Sequence, residues 1–523
     1  MDMHEVNKMT RSSGILLHPI SLPGPYGIGD VGKNARSFVD WLFAASQTLW
    51  QVLPLGPTGY GDSPYASFST FAGNPLLIGI DDLIEAGFLK QSDLKDQPSF
   101  NASRIDYATL IPWKLTLLCK AADRFMETAN SVEKSAFAAF KLQNNWWLDD
   151  YSLFMDIKEY YDSISIRRGI RGAIWSNSWP LDLALRNEDS IHAWRTSPDH
   201  ERSIERKSII QYFFFSQWFA LKEYAGKRNI RIIGDIPIFV APDSVDVWAN
   251  RELFQLNPKG EPLSVAGVPP DYFSTTGQLW GNPLFNWQRL KELDYAWWVR
   301  RIKHILTLVD LVRIDHFRGF DAYWSVPYGS PTAETGTWLP GPGIDFFSKL
   351  KESIYPLPIL AEDLGVITDS VRALRDDFNL PGMKILQFAF DSKESGKGID
   401  TSNTFLPHMY TPNSVVYTGT HDNDTTAGWL EKANKKEKAF LMHYLGGKRA
   451  NYLKEMIRLA FASVSSFAII PMQDILGLGS EARMNTPSTL GGNWSWRLQA
   501  EDMDTESSAM LKDLSEIYAR NKS

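Results

Sequence analysis

Three carboxylates set in short polar signatures carry the clearest chemistry of the chain. The first lies in Arg313-Ile314-Asp315-His316-Phe317-Arg318-Gly319. Alternation along a strand puts Arg313 and Asp315 on one face and Val312 and Ile314 on the other. An arginine beside a carboxylate favours its ionised form, which a nucleophile needs at neutral pH. A plain buried ion pair fits the same heptapeptide, and the heptapeptide alone does not choose between them. Glu362 follows in Ala361-Glu362-Asp363-Leu364-Gly365. A carboxylate held anionic, facing a second held protonated about 5 Å away, is the requirement of retaining glycoside chemistry. Asp422 stands in Thr418-Gly419-Thr420-His421-Asp422-Asn423-Asp424, where His421 and Asp422 would hold sugar hydroxyls and distort the ring; an ordinary loop aspartate is the alternative.

Positioning such groups requires a frame, and the sequence offers eight short apolar or β-branched runs. They are Ile15 to Leu17, Leu49 to Leu55, Ile230 to Ile236, Leu311 to Ile314, Ile359 to Ala361, Met383 to Phe390, Val415 to Tyr417 and Phe467 to Met472. Helix-period stripes lie between them, in Phe38, Val39, Trp41, Leu42, Ala45 and in Trp298, Ile302, Ile305, Leu306. Alternating strand and helix signals predict an α/β chain, a (β/α)8 TIM barrel in a single catalytic domain. Most runs end in polar residues: His18, Asp235, Asp315, Glu362, His421 with Asp422, and Gln473 with Asp474. In a parallel barrel these carboxyl ends meet at one mouth. The gap from Leu55 to Ile230 far exceeds the about 30 residues of a plain unit, so a mostly helical subdomain is expected over 85–205. Residues 239–310, rich in Pro and Gly, read as an irregular loop region covering the mouth.

Composition limits the partners. Of 523 residues, 44% are hydrophobic and 22% charged, so the chain can bury a large core. The net charge of −7 and the lack of basic runs argue against nucleic acid and anionic membranes. Met1 to Gly14 contain no apolar core of a signal peptide. A single cysteine, Cys119, fits a reducing compartment, so a cytoplasmic location is expected. Ile209 to Leu221 is too short to span a bilayer and reads as a buried helix. The oligomeric state is not legible.

On these residues the chain resembles the α-amylase clan, with Asp315 in VRIDHFRGF, Glu362 in AEDLG and Asp422 in GTHDND. More narrowly, GDSPYASFSTFAGNP from Gly61, GDIPIFV from Gly234, VAGVPPDYFSTTGQLWGNPL from Val265, PGMKILQFAF from Pro381 and GNWSWR from Gly492 are similar to the amylomaltases, or 4-α-glucanotransferases, of glycoside hydrolase family 77. The likeness runs from about Gly14 to Arg497. It implies retaining transfer of α-1,4-glucan segments from a maltooligosaccharide or glucan donor. Asp315 would be nucleophile, Glu362 general acid/base and Asp422 transition-state stabiliser. Tyr65, Asp235, Arg313, His316 and His421 would line the central subsites, and Asp271 and Trp280 would belong to a loop covering the acceptor side. No cofactor and no metal is implied. Phe285 departs from a common Tyr, which puts a possible sugar contact in doubt, and Ser488 replaces a common Gly.

Other signals weaken on inspection. Gly27-Ile28-Gly29-Asp30-Val31-Gly32 matches a dinucleotide fingerprint, but three prolines separate it from the preceding run and no acidic residue follows at the right distance. It reads as a turn and helix start. Asp422 and Asp424 lack the remaining ligands of a Ca²⁺ loop. Trp146-Trp147 and Trp297-Trp298 read as core, and Trp280 as the better sugar platform. A simple α-glucan hydrolase and an inactive glucan-binding protein remain the alternative readings.

Overall fold

The computed structural model describes residues 10–270, 274–392, 399–489 and 491–521. Twelve strands are present among these residues: β1 (Ser12–Leu16), β2 (Leu49–Gln51), β3 (Arg231–Pro237), β4 (Ser264–Val268), β5 (Gln278–Pro283), β6 (Leu311–Asp315), β7 (Ala322–Pro327), β8 (Thr337–Pro340), β9 (Ile359–Ala361), β10 (Gly382–Ile385), β11 (Ser414–Tyr417) and β12 (Phe467–Pro471). Eight of them close into a barrel in the order β1-β12-β11-β10-β9-β6-β3-β2, with every pair parallel. The fold is a (β/α)8 barrel. Its strands are nearly continuous apolar runs because both faces are covered: Val312, Ile314, Leu360, Val415, Ile469 and Ile470 are wholly buried.

Two of the eight runs are shorter as strands than their sequence suggests. The run from Met383 continues past Ile385 as a helical turn, Leu386–Phe390. Apolarity persists there because the turn is buried, and periodicity over so short a run does not separate strand from helix. The run from Leu49 stops pairing after Gln51, ahead of Pro54, which has no N–H to give a ladder.

Between β2 and β3 lie the helices Tyr107–Thr128, Ser131–Arg167 and Pro198–Gly226, with shorter ones between the last two. Local chemistry starts them. Asn130 accepts from the N–H groups of Val132 and Glu133 while the Glu133 carboxylate accepts from the Asn130 N–H, a reciprocal cap. The helix Pro198–Gly226 docks the insertion on the barrel: Phe214 and Trp218 are buried, and the Trp218 indole donates to the Leu308 carbonyl at 2.9 Å.

Residues 239–310 carry more regular structure than their composition announces. They contain β4, β5 and the helix Ala296–Leu308, and β4 and β5 join β7 and β8 in a four-stranded antiparallel sheet ordered β5-β4-β7-β8. Thus the connections after β3 and β6 are knitted together above the mouth. Gly27 to Gly32 precede the helix Lys33–Ala44. Gly29 lies so close to the preceding turn that a Cβ would meet the Pro19 carbonyl oxygen at 2.0 Å, so this glycine serves chain packing. No described helix is long and apolar enough to cross a membrane.

Candidate active site

Strand register builds the floor of the site. Asp235 of β3 stands opposite Arg313 of β6, and Ile314 of β6 stands opposite Ala361 of β9, so Asp315 and Glu362 each emerge one residue beyond a paired position on adjacent strands. Arg313 is 3% exposed and forks between two carboxylates: Nη1 donates to Asp235 Oδ2 at 2.6 Å and Nη2 to Asp315 Oδ1 at 2.8 Å. Burial alone would lower the Arg313 pKa, but Asp235 and Asp315 raise it well above its ordinary value. A fixed planar cation therefore aims Asp315 and keeps its charge paired.

The turn after Asp315 orients the second carboxylate. His316 adopts a left-handed conformation with φ 55°, a costly position for a residue with a Cβ. Its N–H donates to Glu362 Oε2 at 2.7 Å, and the Leu364 N–H donates to Oε1 at 3.0 Å. Burial, then the nearby charge of Asp315, push the Glu362 carboxyl up to about 8, against the pull of Arg313 and the His316 N–H. Two carboxyl groups in one cleft thus differ in role through environment, one paired with arginine and one favoured in its protonated form.

Asp422 enters from the β11 side. Its Oδ1 accepts from the Asn485 amide at 2.6 Å, and His421 Nε2 lies 3.3 Å from Oδ2. The Tyr65 ring stacks on His421 with centroids 5.2 Å apart, and the Tyr65 hydroxyl donates to Asp235 Oδ2 at 2.8 Å. Burial lowers the His421 pKa, and burial and Arg318 bring His316 down to about 3. Both imidazoles are neutral hydrogen-bonding groups at neutral pH. Trp280, on β5, stands edge-on to His316 with centroids 4.8 Å apart.

Tyr65, Asp235, Arg313, Asp315, His316, Glu362, His421, Asp422 and Trp280 therefore form one connected cluster. Asp271 lies outside the described residues, as do its neighbours Tyr272 and Phe273. Among the described residues no group of three or more His, Cys, Asp or Glu side chains converges as metal ligands would.

A family model described as 4-alpha-glucanotransferase matches residues 17–503. The chain belongs to the 4-alpha-glucanotransferase family. It is 48% identical to the 4-alpha-glucanotransferase of Thermus thermophilus over 98% of this chain and 100% of that one. It is 42% identical to the chloroplastic/amyloplastic 4-alpha-glucanotransferase of Solanum tuberosum, over 98% of this chain and 86% of the potato protein. Its fold superposes on the amylomaltase of Streptococcus agalactiae in complex with acarbose with a TM-score of 0.91 and 39% identity, covering 98% and 99% of the two chains.

Two site residues of this 4-alpha-glucanotransferase escaped sequence reasoning. Asn485, which holds Asp422, sits far along the chain with no chemical signature of its own. Trp494, 3% exposed and with its centroid 5.9 Å from both Tyr65 and His421, backs the stacked pair; its motif GNWSWR was the available signal. The departures resolve differently. Phe285 is wholly buried, with its centroid 5.0 Å from Phe254 and 5.5 Å from Trp298, so this position packs the core. Ser488 has φ 63°, a conformation that favours glycine.

Proposed function

We propose that Asp315 and Glu362 run the transfer of α-1,4-glucan segments by double displacement, with Asp422 binding the sugar at the reaction centre. An Asp315 oxygen attacks the anomeric carbon of the donor while Glu362 gives its proton to the departing glycosidic oxygen. The shortened glucan leaves, and the donor segment remains as an ester on Asp315. Glu362, now a carboxylate, takes the proton of an acceptor 4-hydroxyl as that oxygen attacks the anomeric carbon and displaces Asp315. Tyr65 stacks beside the reacting ring, and His421 and Asp422 offer polar groups to its hydroxyls. Trp280 and the connection that carries it cover the acceptor side and disfavour water as the acceptor.

The carrying observation is the opposite treatment of two carboxyls on adjacent strands: Asp315 paired with Arg313 at 2.8 Å, Glu362 buried and favoured as the acid. Transfer, rather than hydrolysis, is the activity of the family to which the chain belongs. Purified protein given maltotriose is expected to yield glucose and a ladder of longer maltodextrins. Rising reducing ends without a ladder would favour a hydrolase. Asp315→Asn is expected to lower the rate by about 10⁴-fold or more with the thermal melt nearly unchanged. Full activity in that variant would overturn the nucleophile assignment.

A further inference from the structure

The exposed indole of Trp338 takes no part in the floor of the site, yet the structure ties it to the acid's own loop. Trp338 lies on β8, the edge of the four-stranded sheet. Its neighbour Leu339 packs against the core, whereas Trp338, on the opposite face of the strand, is 39% exposed. It is held on two sides. The Arg318 guanidinium lies 3.9 Å over its ring, and Trp324 meets it edge-on with centroids 5.2 Å apart. Arg318, 6% exposed, donates from Nη1 to the carbonyl of Val366 at 2.6 Å. Val366 is four residues beyond Glu362 and 63% exposed.

This arrangement fixes the direction of the surface. On the assignment above, Glu362 protonates the oxygen of the departing sugar, so the departing and incoming chains lie on the Glu362 side. The segment from His316 to Phe320, which leaves the nucleophile strand, meets two indoles: Trp280 against His316 and Trp338 against Arg318. The two tryptophans sit on the opposite edge strands of the sheet, β5 and β8. Three strand spacings, roughly 14 Å, separate those strands. Trp338 thus stands at the edge of the sheet away from Trp280.

We propose that Trp338, backed by Arg318, is a stacking platform for glucose units of an acceptor α-1,4-glucan remote from the bond being formed. The apolar face of a pyranose fits a flat indole, and a ring held in place by Arg318 and Trp324 loses little freedom on binding. Acceptor length is thereby read at a distance from the carboxylates. The inference rests on the assignment of Glu362 as the acid, and its test is separable from it.

α-Maltosyl fluoride is the donor of choice, because fluoride release counts only cleavages of that donor, and the rise above the rate without acceptor reports transfer. In Trp338→Ala, and in Trp338→Leu, which keeps apolar bulk without a flat face, the KM for maltohexaose as acceptor is expected to rise about five- to tenfold. The KM and kcat with glucose as acceptor are expected to stay within about twofold of the parent. Trp338→Tyr restores a ring and is expected to recover most of the affinity. An unchanged maltohexaose KM in both variants, or an equal rise for glucose and maltohexaose, overturns the platform. Neither result touches the assignment of Glu362 as the acid, which falls if Glu362→Gln keeps full transfer from maltotriose.

Discussion

The floor of the site and its cover are made of opposite materials. On the floor, Asp235 and Arg313 are set by register between parallel strands and are 1% and 3% exposed, and Tyr65, from the connection after β2, is hydrogen-bonded to Asp235. On the cover, Leu279, Trp280 and Trp338 are apolar residues between 38% and 41% exposed, carried on an antiparallel sheet of two long connections. Buried charges tolerate little movement, because a lost partner leaves an uncompensated ion in a low-dielectric interior. Exposed rings tolerate change at small cost to the fold. On the proposed assignment, the chemistry is fixed by the barrel and the choice of acceptor falls to the cover.

Arg313→Met strikes the floor hardest. It leaves Asp235 buried without a cation and Asp315 without its orienting partner. A stability loss of about 3–5 kcal/mol is expected, read as a lower urea midpoint, together with loss of transfer from maltotriose. Adding Asp235→Asn removes the carboxyl left without its cation and is expected to recover part of the stability but none of the activity, a coupling that a double-mutant cycle measures. An unchanged midpoint in Arg313→Met would mean that the buried fork does not hold the floor together.

Much of the floor was legible in the sequence because strands are short and local. Alternation placed Arg313 with Asp315, and the polar residues that end most of the apolar runs marked the mouth. The cover was harder. The Pro and Gly of residues 239–310 obscure β4 and β5; β4 pairs with β5 on one side and on the other with β7, which lies far along the chain and imposes strand geometry by tertiary contact. Asn485 was invisible for a similar reason: its role is fixed only when the segment after β12 folds back over His421 and Asp422, where the Asn485 N–H donates to the His421 carbonyl at 3.1 Å. The helical turn Leu386–Phe390 hid in an apolar run because burial on all sides erases periodicity.

Glu362→Gln tests the difference between the two carboxyls with a smaller effect. Transfer from maltotriose, whose departing oxygen needs a proton, is expected to fall about 10²- to 10⁴-fold. α-Maltosyl fluoride needs none, so the first step survives and the second, which needs a base, stalls. One equivalent of fluoride should appear in a burst, with a glucan ester on Asp315 detectable by mass spectrometry. In the parent protein the maltotriose rate requires protonated Glu362. It is therefore present below the raised pKa and lost as pH rises through it, well alkaline of an ordinary carboxylate. The removal of the Asp315 charge in Asp315→Asn is expected to lower that pKa, which a carboxyl-labelled NMR titration reads directly. No alkaline limb, or an unmoved pKa, would break the electrostatic contrast.

Trp280→Ala is the mildest change and tests the cover alone. The side chain is 38% exposed, and its one described ring contact is the edge of His316, so the melting midpoint should move little, within about 0.5 kcal/mol of stability. Its removal opens the acceptor side to water beside a reacting centre that is otherwise intact. The total rate of donor cleavage should therefore stay within about tenfold, while the fraction of cleavages that end on water rises. Free reducing ends measured against ladder length on maltotriose report that fraction. If the ratio is unchanged, the exclusion of water belongs to the narrow floor, and the division between a catalytic floor and a selective cover has to be drawn elsewhere.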